Sequence, residues 1–207
     1  MQLAATGLAG AVRAAIRDAI GSVSGVAGKR VLLLVGSGNN GGDALFAGAE
    51  LAADGADVGI VPAASRLHKR GLAAAVNAGA RIEPLDDLAA LAARSDVIID
   101  GLVGTGSSGS SALRGAAREV VAAILPALGE PRHPLVVAVD IPSGIDPDDG
   151  SVPDDLVLPA DVTVTFGAYK AGLLLEPASA LAGKVLLVDI GLGHQLEGVE
   201  PVLVIER

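Results

Sequence analysis

The ten residues GSGNNGGDAL, 36 to 45, follow directly on the apolar run VLLLV. Gly36, Gly38 and Gly41 satisfy G-x-G-x-x-G, a spacing that lets backbone approach a phosphate at the start of a helix. The same loop brings Asn39, Asn40 and Asp43, more oxygen ligands than a phosphate cradle needs. Two chemistries therefore share one stretch: an anion facing helix amides at about 42–46, and a hard cation among side-chain oxygens. The dehydrogenase version of the fingerprint adds an acid about 20 residues on, for the ribose. Here the next apolar run ends in PAASR, which offers Ser65 and Arg66 instead. No Lys-Ser or Lys-Thr pair follows the glycines, which excludes a P-loop.

Two further loops carry similar residues. DGLVGTGSSGSS (100–111) follows the run DVIID, and DIPSGIDPDDG (140–150) follows LVVAVD. Gly, Ser, Pro and Asp also favour ordinary turns. Three such loops, longer than the usual connection of about 2–6 residues, argue for a shared site if their strands lie side by side.

The elements that would place them alternate. Strand-like runs fall at 30–35, 57–61, 96–100, 135–140, 161–166 and 184–190, with a weaker one at 80–85. Helical stretches lie at roughly 43–54, 67–78, 86–94 and 113–128, by the apolar period. Strands apolar throughout, alternating with helices, imply a parallel sheet covered on both faces. The expected fold is α/β: a three-layer α/β/α sandwich around a Rossmann-like, mostly parallel, doubly wound sheet. Ligands then bind beyond the carboxyl ends of the strands, where the three loops begin. From about 161 the chain has strands but little helix, which predicts a different connection at the end of the sheet. Residues 1–21 read as an N-terminal amphipathic helix, with Leu8, Val12, Ile16 and Ile20 four apart. Residues 30–193 form the α/β core of one domain spanning 1–207.

Composition excludes several classes. A net charge of −9 disfavours nucleic acid and anionic membrane surfaces. The absence of cysteine removes disulfides, thiolate metal sites and a cysteine nucleophile. His68, His133 and His194 lack ligand spacing and read as ordinary surface residues. No run reaches the length of a membrane span, and no basic residue precedes the first apolar stretch. The chain reads as soluble and cytoplasmic.

GSGNNGGDAL, DGLVGTG, VAVDIPSGID, VTVTFGAYKAGL and GKVLLVDIGL occur in that order. Together they resemble the YjeF N-terminal domain family, the NAD(P)HX epimerases, over about 30 to 193. The resemblance implies an isomerase that interconverts the R and S epimers of hydrated NADH and NADPH in nicotinamide cofactor repair. It implies a separate ATP- or ADP-dependent dehydratase acting on the S form, and no fused dehydratase domain before the end at Arg207. It implies one potassium ion held by Asn40, Asp100 and Ser143. It also implies substrate contacts at Asn39, Asn40, Gly41, Gly42 and Asp43, at Gly104, Thr105, Gly106, Ser107, Ser108, Gly109 and Ser110, and at Asp140. Oxygen donors of this kind suit a hard cation and not a transition metal.

Departures from the family pattern are Ala44 in place of Gly, a serine-rich TGSSGSS loop, and no lysine directly after the second strand. The segment ahead of the first helix looks short, and the family's dimer contact often includes it, so monomer and homodimer both stay open. Lys170 in TFGAYKAG matches the pattern, and it also reads as a strand-end surface lysine. A noncatalytic nucleotide-binding or scaffolding relative is the alternative reading.

The stereocentre of such a substrate is a hemiaminal. It can invert by losing water and regaining it on the other face, which one carboxyl can assist as acid and then base. Asp140, ending a buried strand, is the expected catalytic residue. Asp43 stands second, because a helix start gives it a competing role as a cap.

Overall fold

RVLLLV lies in the interior of a sheet, where every residue after Arg30 is buried. In this computed structural model, which describes residues 1–20, 25–106 and 111–201, seven strands form one sheet. They are β1 (Arg30–Val35), β2 (Asp57–Pro62), β3 (Arg81–Ile82), β4 (Val97–Gly101), β5 (Leu135–Val139), β6 (Val162–Phe166) and β7 (Lys184–Val188). Their order is β3-β2-β1-β4-β5-β6-β7, and every neighbouring pair is parallel.

Strand alternation sorts the core into two layers. Val31, Leu33 and Val35 face α1 (Gln2–Ile20), α2 (Asn39–Ala53) and α3 (Lys69–Asn77). Leu32 and Leu34 face α4 (Leu88–Ala93) and α5 (Gly115–Leu128). In α1, Leu8, Val12 and Ile16 are fully buried, as the period predicts. The side chain of Ile20 lies outside the described residues. Gly7 lets α1 meet β7, since a Cβ there would come 2.4 Å from Val188 Cγ1.

The tail does connect differently. β6 and β7 are joined through two 3-10 turns, Ala171–Leu173 and Ala178–Leu181, rather than an α-helix. A third apolar cluster, including Ile141, Ile145, Val157 and Leu173, seats that connection under the loop that follows β5. The chain then ends its described part past a short α6 (Gly193–Leu196). No helix among the described residues is long and apolar enough to cross a membrane.

Candidate functional site

Strand order reverses between β1 and β4, and the roots of their loops touch. Gly36 N donates to Gly101 O at 3.0 Å. A Cβ at Gly36 would lie 1.8 Å from Leu102 O, and one at Gly41 would lie 2.3 Å from Gly36 O. These glycines are needed for contact within the protein, whatever else they approach. Backbone cannot yield as a side chain can. Gly36→Ala is expected to cost about 3 kcal/mol or more, the upper range for overpacking, read as a fall in the denaturation midpoint at unchanged slope.

Helix α2 begins at Asn39, four residues before the expected start at 43. Asn and Gly are weak helix formers, so sequence pattern places the boundary too late. Packing overrides propensity here: a Cβ at Gly101 would meet Ala44 Cβ at 2.8 Å and Asn40 O at 3.0 Å. Gly42 N already donates to Gly38 O at 3.2 Å. The amides without an intrahelical partner are therefore those of 39 to 41, not 42 to 46.

Asn40, Asp100 and Ser143 come from three different segments and converge. Asn40 Nδ2 donates to Val139 O at 2.5 Å and reaches Val103 O at 3.5 Å. Ser143 Oγ accepts from Val103 N at 2.9 Å and donates to Asp100 Oδ1 at 2.7 Å. Ser143 N and Leu102 N donate to the two Asp100 carboxylate oxygens at 2.8 and 3.2 Å. Asp100 is completely buried, and burial pushes its pKa up, against the hydrogen bonds that pull it down. No basic side chain pairs with it among the described residues.

Asp140 directly follows β5 and lies in the left-handed region, at φ 69°, a conformation Asp tolerates better than most residues. Among the described residues, all its side-chain hydrogen bonds fall on one oxygen. Oδ1 accepts from Thr165 Oγ1 at 3.1 Å, from Phe166 N at 3.2 Å and from Lys170 Nζ. Lys170 also donates to Thr165 Oγ1 at 3.1 Å and Phe166 O at 3.0 Å. The lysine is thus fixed on the carboxylate, not left at the surface. Beside Lys170 opens a cavity of about 650 Å³, lined in part by Pro147, Ala168, Tyr169 and Leu174.

Asp43 is the opposite case. It is buried, and its Oδ1 has no hydrogen-bond partner. Its pKa rises to about 6, chiefly through burial. The terminal ammonium opposes that rise and the Asp140 carboxylate adds to it. The expected competing role as an N-cap does not apply, because Gly38 caps the helix and Asp43 stands inside its first turns.

Of the other expected contact residues, Asn39 is exposed at the helix start, and Gly41 and Gly42 are buried beneath it. Gly104 packs on Asn40, whose amide atoms would lie 2.6 Å from a Cβ there. Thr105 and Gly106 are exposed. Ser107, Ser108, Gly109 and Ser110 lie outside the described residues.

His68, read from sequence as an ordinary surface histidine, is half-buried beside this loop. Its Nδ1 accepts from Gly71 N at 3.0 Å, capping α3, and its ring stands edge-on to Phe46 at 5.4 Å. A lone histidine carries no spacing signal, and the expected helix at roughly 67–78 put His68 inside the element, where the structure makes it the cap. Among the described residues no group of three or more His, Cys, Asp or Glu is placed to hold a metal.

A family model described as YjeF-related protein N-terminus matches residues 1–172. The NAD(P)H-hydrate epimerase of Clavibacter michiganensis subsp. michiganensis is 52% identical over 98% of this chain and 85% of that protein. The bifunctional NAD(P)H-hydrate repair enzyme Nnr of Mycobacterium tuberculosis is 43% identical over 93% of this chain and 37% of its own length. Among solved structures, yeast ynu0 superposes with a TM-score of 0.71 over 90% of this chain and 76% of that one, at 21% identity, a likeness of fold.

Proposed function

The chain belongs to the YjeF-related protein N-terminus family, and we infer from this that it is an isomerase interconverting the R and S epimers of hydrated NADH and NADPH. The observation that carries the chemistry is a pair of buried carboxyls with unlike surroundings at the carboxyl ends of one sheet. Asp140 pairs with Lys170 through Oδ1 alone, while Asp43 keeps a buried oxygen without a partner. Unlike environments of this kind divide acid and base duties.

These surroundings support an order of roles opposite to the sequence expectation. Asp43, near pH 6, protonates the leaving hydroxyl and takes the proton back from the incoming water. Asp140 offers its uncommitted oxygen to the positive charge that develops on the ring as water leaves. The free amides of 39 to 41 face the pyrophosphate, as helix starts do. Incubation with chemically prepared R-NAD(P)HX tests the activity: the S epimer should accumulate without any redox change. Oxidation to the dinucleotide would make the chain a dehydrogenase, and epimerisation no faster than the spontaneous rate would make it a noncatalytic binder. Relatives of the bifunctional kind join repair steps in one polypeptide. We assign the step consuming the S epimer to a separate ATP- or ADP-dependent dehydratase.

A monovalent cation fits the cluster of Asn40, Asp100 and Ser143. Asp100 is a buried acid without a countercharge, a state that costs energy unless a positive group stands near. The Asn40 amide now turns its donor toward two carbonyls, Val139 O and Val103 O. Rotated, it would present Oδ1 instead, giving a set of neutral oxygens with a single carboxylate. That charge count suits potassium better than a divalent ion, which takes several carboxylates. Bound there, potassium would neutralise Asp100 and fix the roots of the loops after β4 and β5. Exchanging sodium for potassium at constant ionic strength should raise the stability of the wild type, by about 2.7 kcal/mol at a hundredfold excess over Kd. The gain should vanish in Ser143→Ala. A wild type indifferent to the exchange would remove the ion from the site.

A further inference from the structure

Between Asp57 and Glu83 the chain has no acidic residue, although it carries 24 acids and a net charge of −9. Inside that stretch Arg66, Lys69 and Arg70 fall within five residues, between β2 and the first turn of α3. All three are exposed, and among the described residues none of them forms an ion pair. In a strongly acidic protein, three neighbouring unpaired cations make a local anion trap.

Their position is fixed against the glycine loop. The His68 ring packs on Gly42, where a Cβ would meet Cγ at 3.2 Å. A Cβ at Gly71 would come within 3.3 Å of Gly42 O. The start of α3 therefore rests on the start of α2, one strand away from the crevice between β1 and β4. In sheets of this order the segment after the second strand meets the adenosine ribose. An acid there selects a free 2′-hydroxyl, and an arginine accommodates a 2′-phosphate. The acid is missing: Glu83, the next one along the chain, lies against Gly59 in the middle of β2.

We propose that Arg66 and Lys69, with Arg70 beside them, bind the 2′-phosphate of the substrate, so that this chain favours hydrated NADPH over hydrated NADH. This rests on the epimerase reading above. Two measurements test it on the full chain, with Arg66→Ala/Lys69→Ala as the variant. The wild type should show kcat/KM at least roughly tenfold higher for R-NADPHX than for R-NADHX, the scale of one charge-assisted contact. The variant should lose that preference while R-NADHX turnover stays within a few-fold. By calorimetry, 2′,5′-ADP should bind the wild type more tightly than 5′-ADP does, and the variant should bind the two alike. Equal turnover of both hydrates by the wild type overturns the proposal, and so does a variant that loses both equally. A protein that epimerises neither hydrate but still prefers 2′,5′-ADP keeps the phosphate site and removes the epimerase reading.

Discussion

Asp43→Asn is expected to lower epimerisation by ~100-fold or more, the scale of a general acid–base residue, and to make the fold more stable above pH 6. The two effects share a cause. Burial raises the Asp43 pKa to about 6 from an ordinary 3.8, so the folded state favours the neutral acid. Below the unfolded pKa the carboxyl is protonated in both states and costs nothing. As pH rises through 4 and on to 6, the unfolded chain ionises first, and wild-type stability falls. Above 6 the loss levels off at roughly 2 to 3 kcal/mol, since each pKa unit is worth about 1.4 kcal/mol. The amide does not titrate, so this pH dependence should be absent from urea midpoints of the variant. A residue that merely supported the fold would lose stability with activity. An Asp43→Asn protein that is stable and fully active would exclude Asp43 from proton transfer.

The strands β1, β2, β4, β5 and β6 were legible because each is a short, largely apolar run with both faces covered, a pattern that survives without knowledge of neighbours. Asp100 and Ser143 could be placed in one region from strand order alone, since each lies at the carboxyl end of an adjacent strand. The beginning of α2 was not legible. Asn39 to Gly42 contradict helix propensity, and only the close approach of Gly36, Gly41 and Gly101 to neighbouring backbone explains why they are helical. The unlike surroundings of the two aspartates were hidden for a related reason. What separates them is Lys170, thirty residues from Asp140 along the chain, and an empty hydrogen-bond position on Asp43. Neither leaves a spacing in the sequence. The basic turn after β2 was visible as Ser65 and Arg66 in place of an acid, but its contact with Gly42 through His68 was not.

Asp140→Asn separates the two carboxyls by their pH behaviour. If Asp43 carries the proton, the wild-type rate should fall on the alkaline side with an apparent pKa near 6, because the step that expels water needs the protonated acid. The Asp140 carboxylate raises the Asp43 pKa. Removing its charge should therefore move the alkaline limb to lower pH without abolishing it. The rate should fall as well, by ~100-fold or more, the loss seen when one group aimed at transition-state charge is deleted. It should fall in kcat rather than KM, since the charge appears on the ring only as water leaves. Lys170 makes the prediction sharper. In the variant its ammonium keeps Thr165 and the Phe166 carbonyl as partners, so the shift of the limb reports the lost carboxylate and not a displaced lysine. Were Asp140 itself the acid–base group, its amide would erase the limb instead of shifting it, and Asp43→Asn would leave a limb behind.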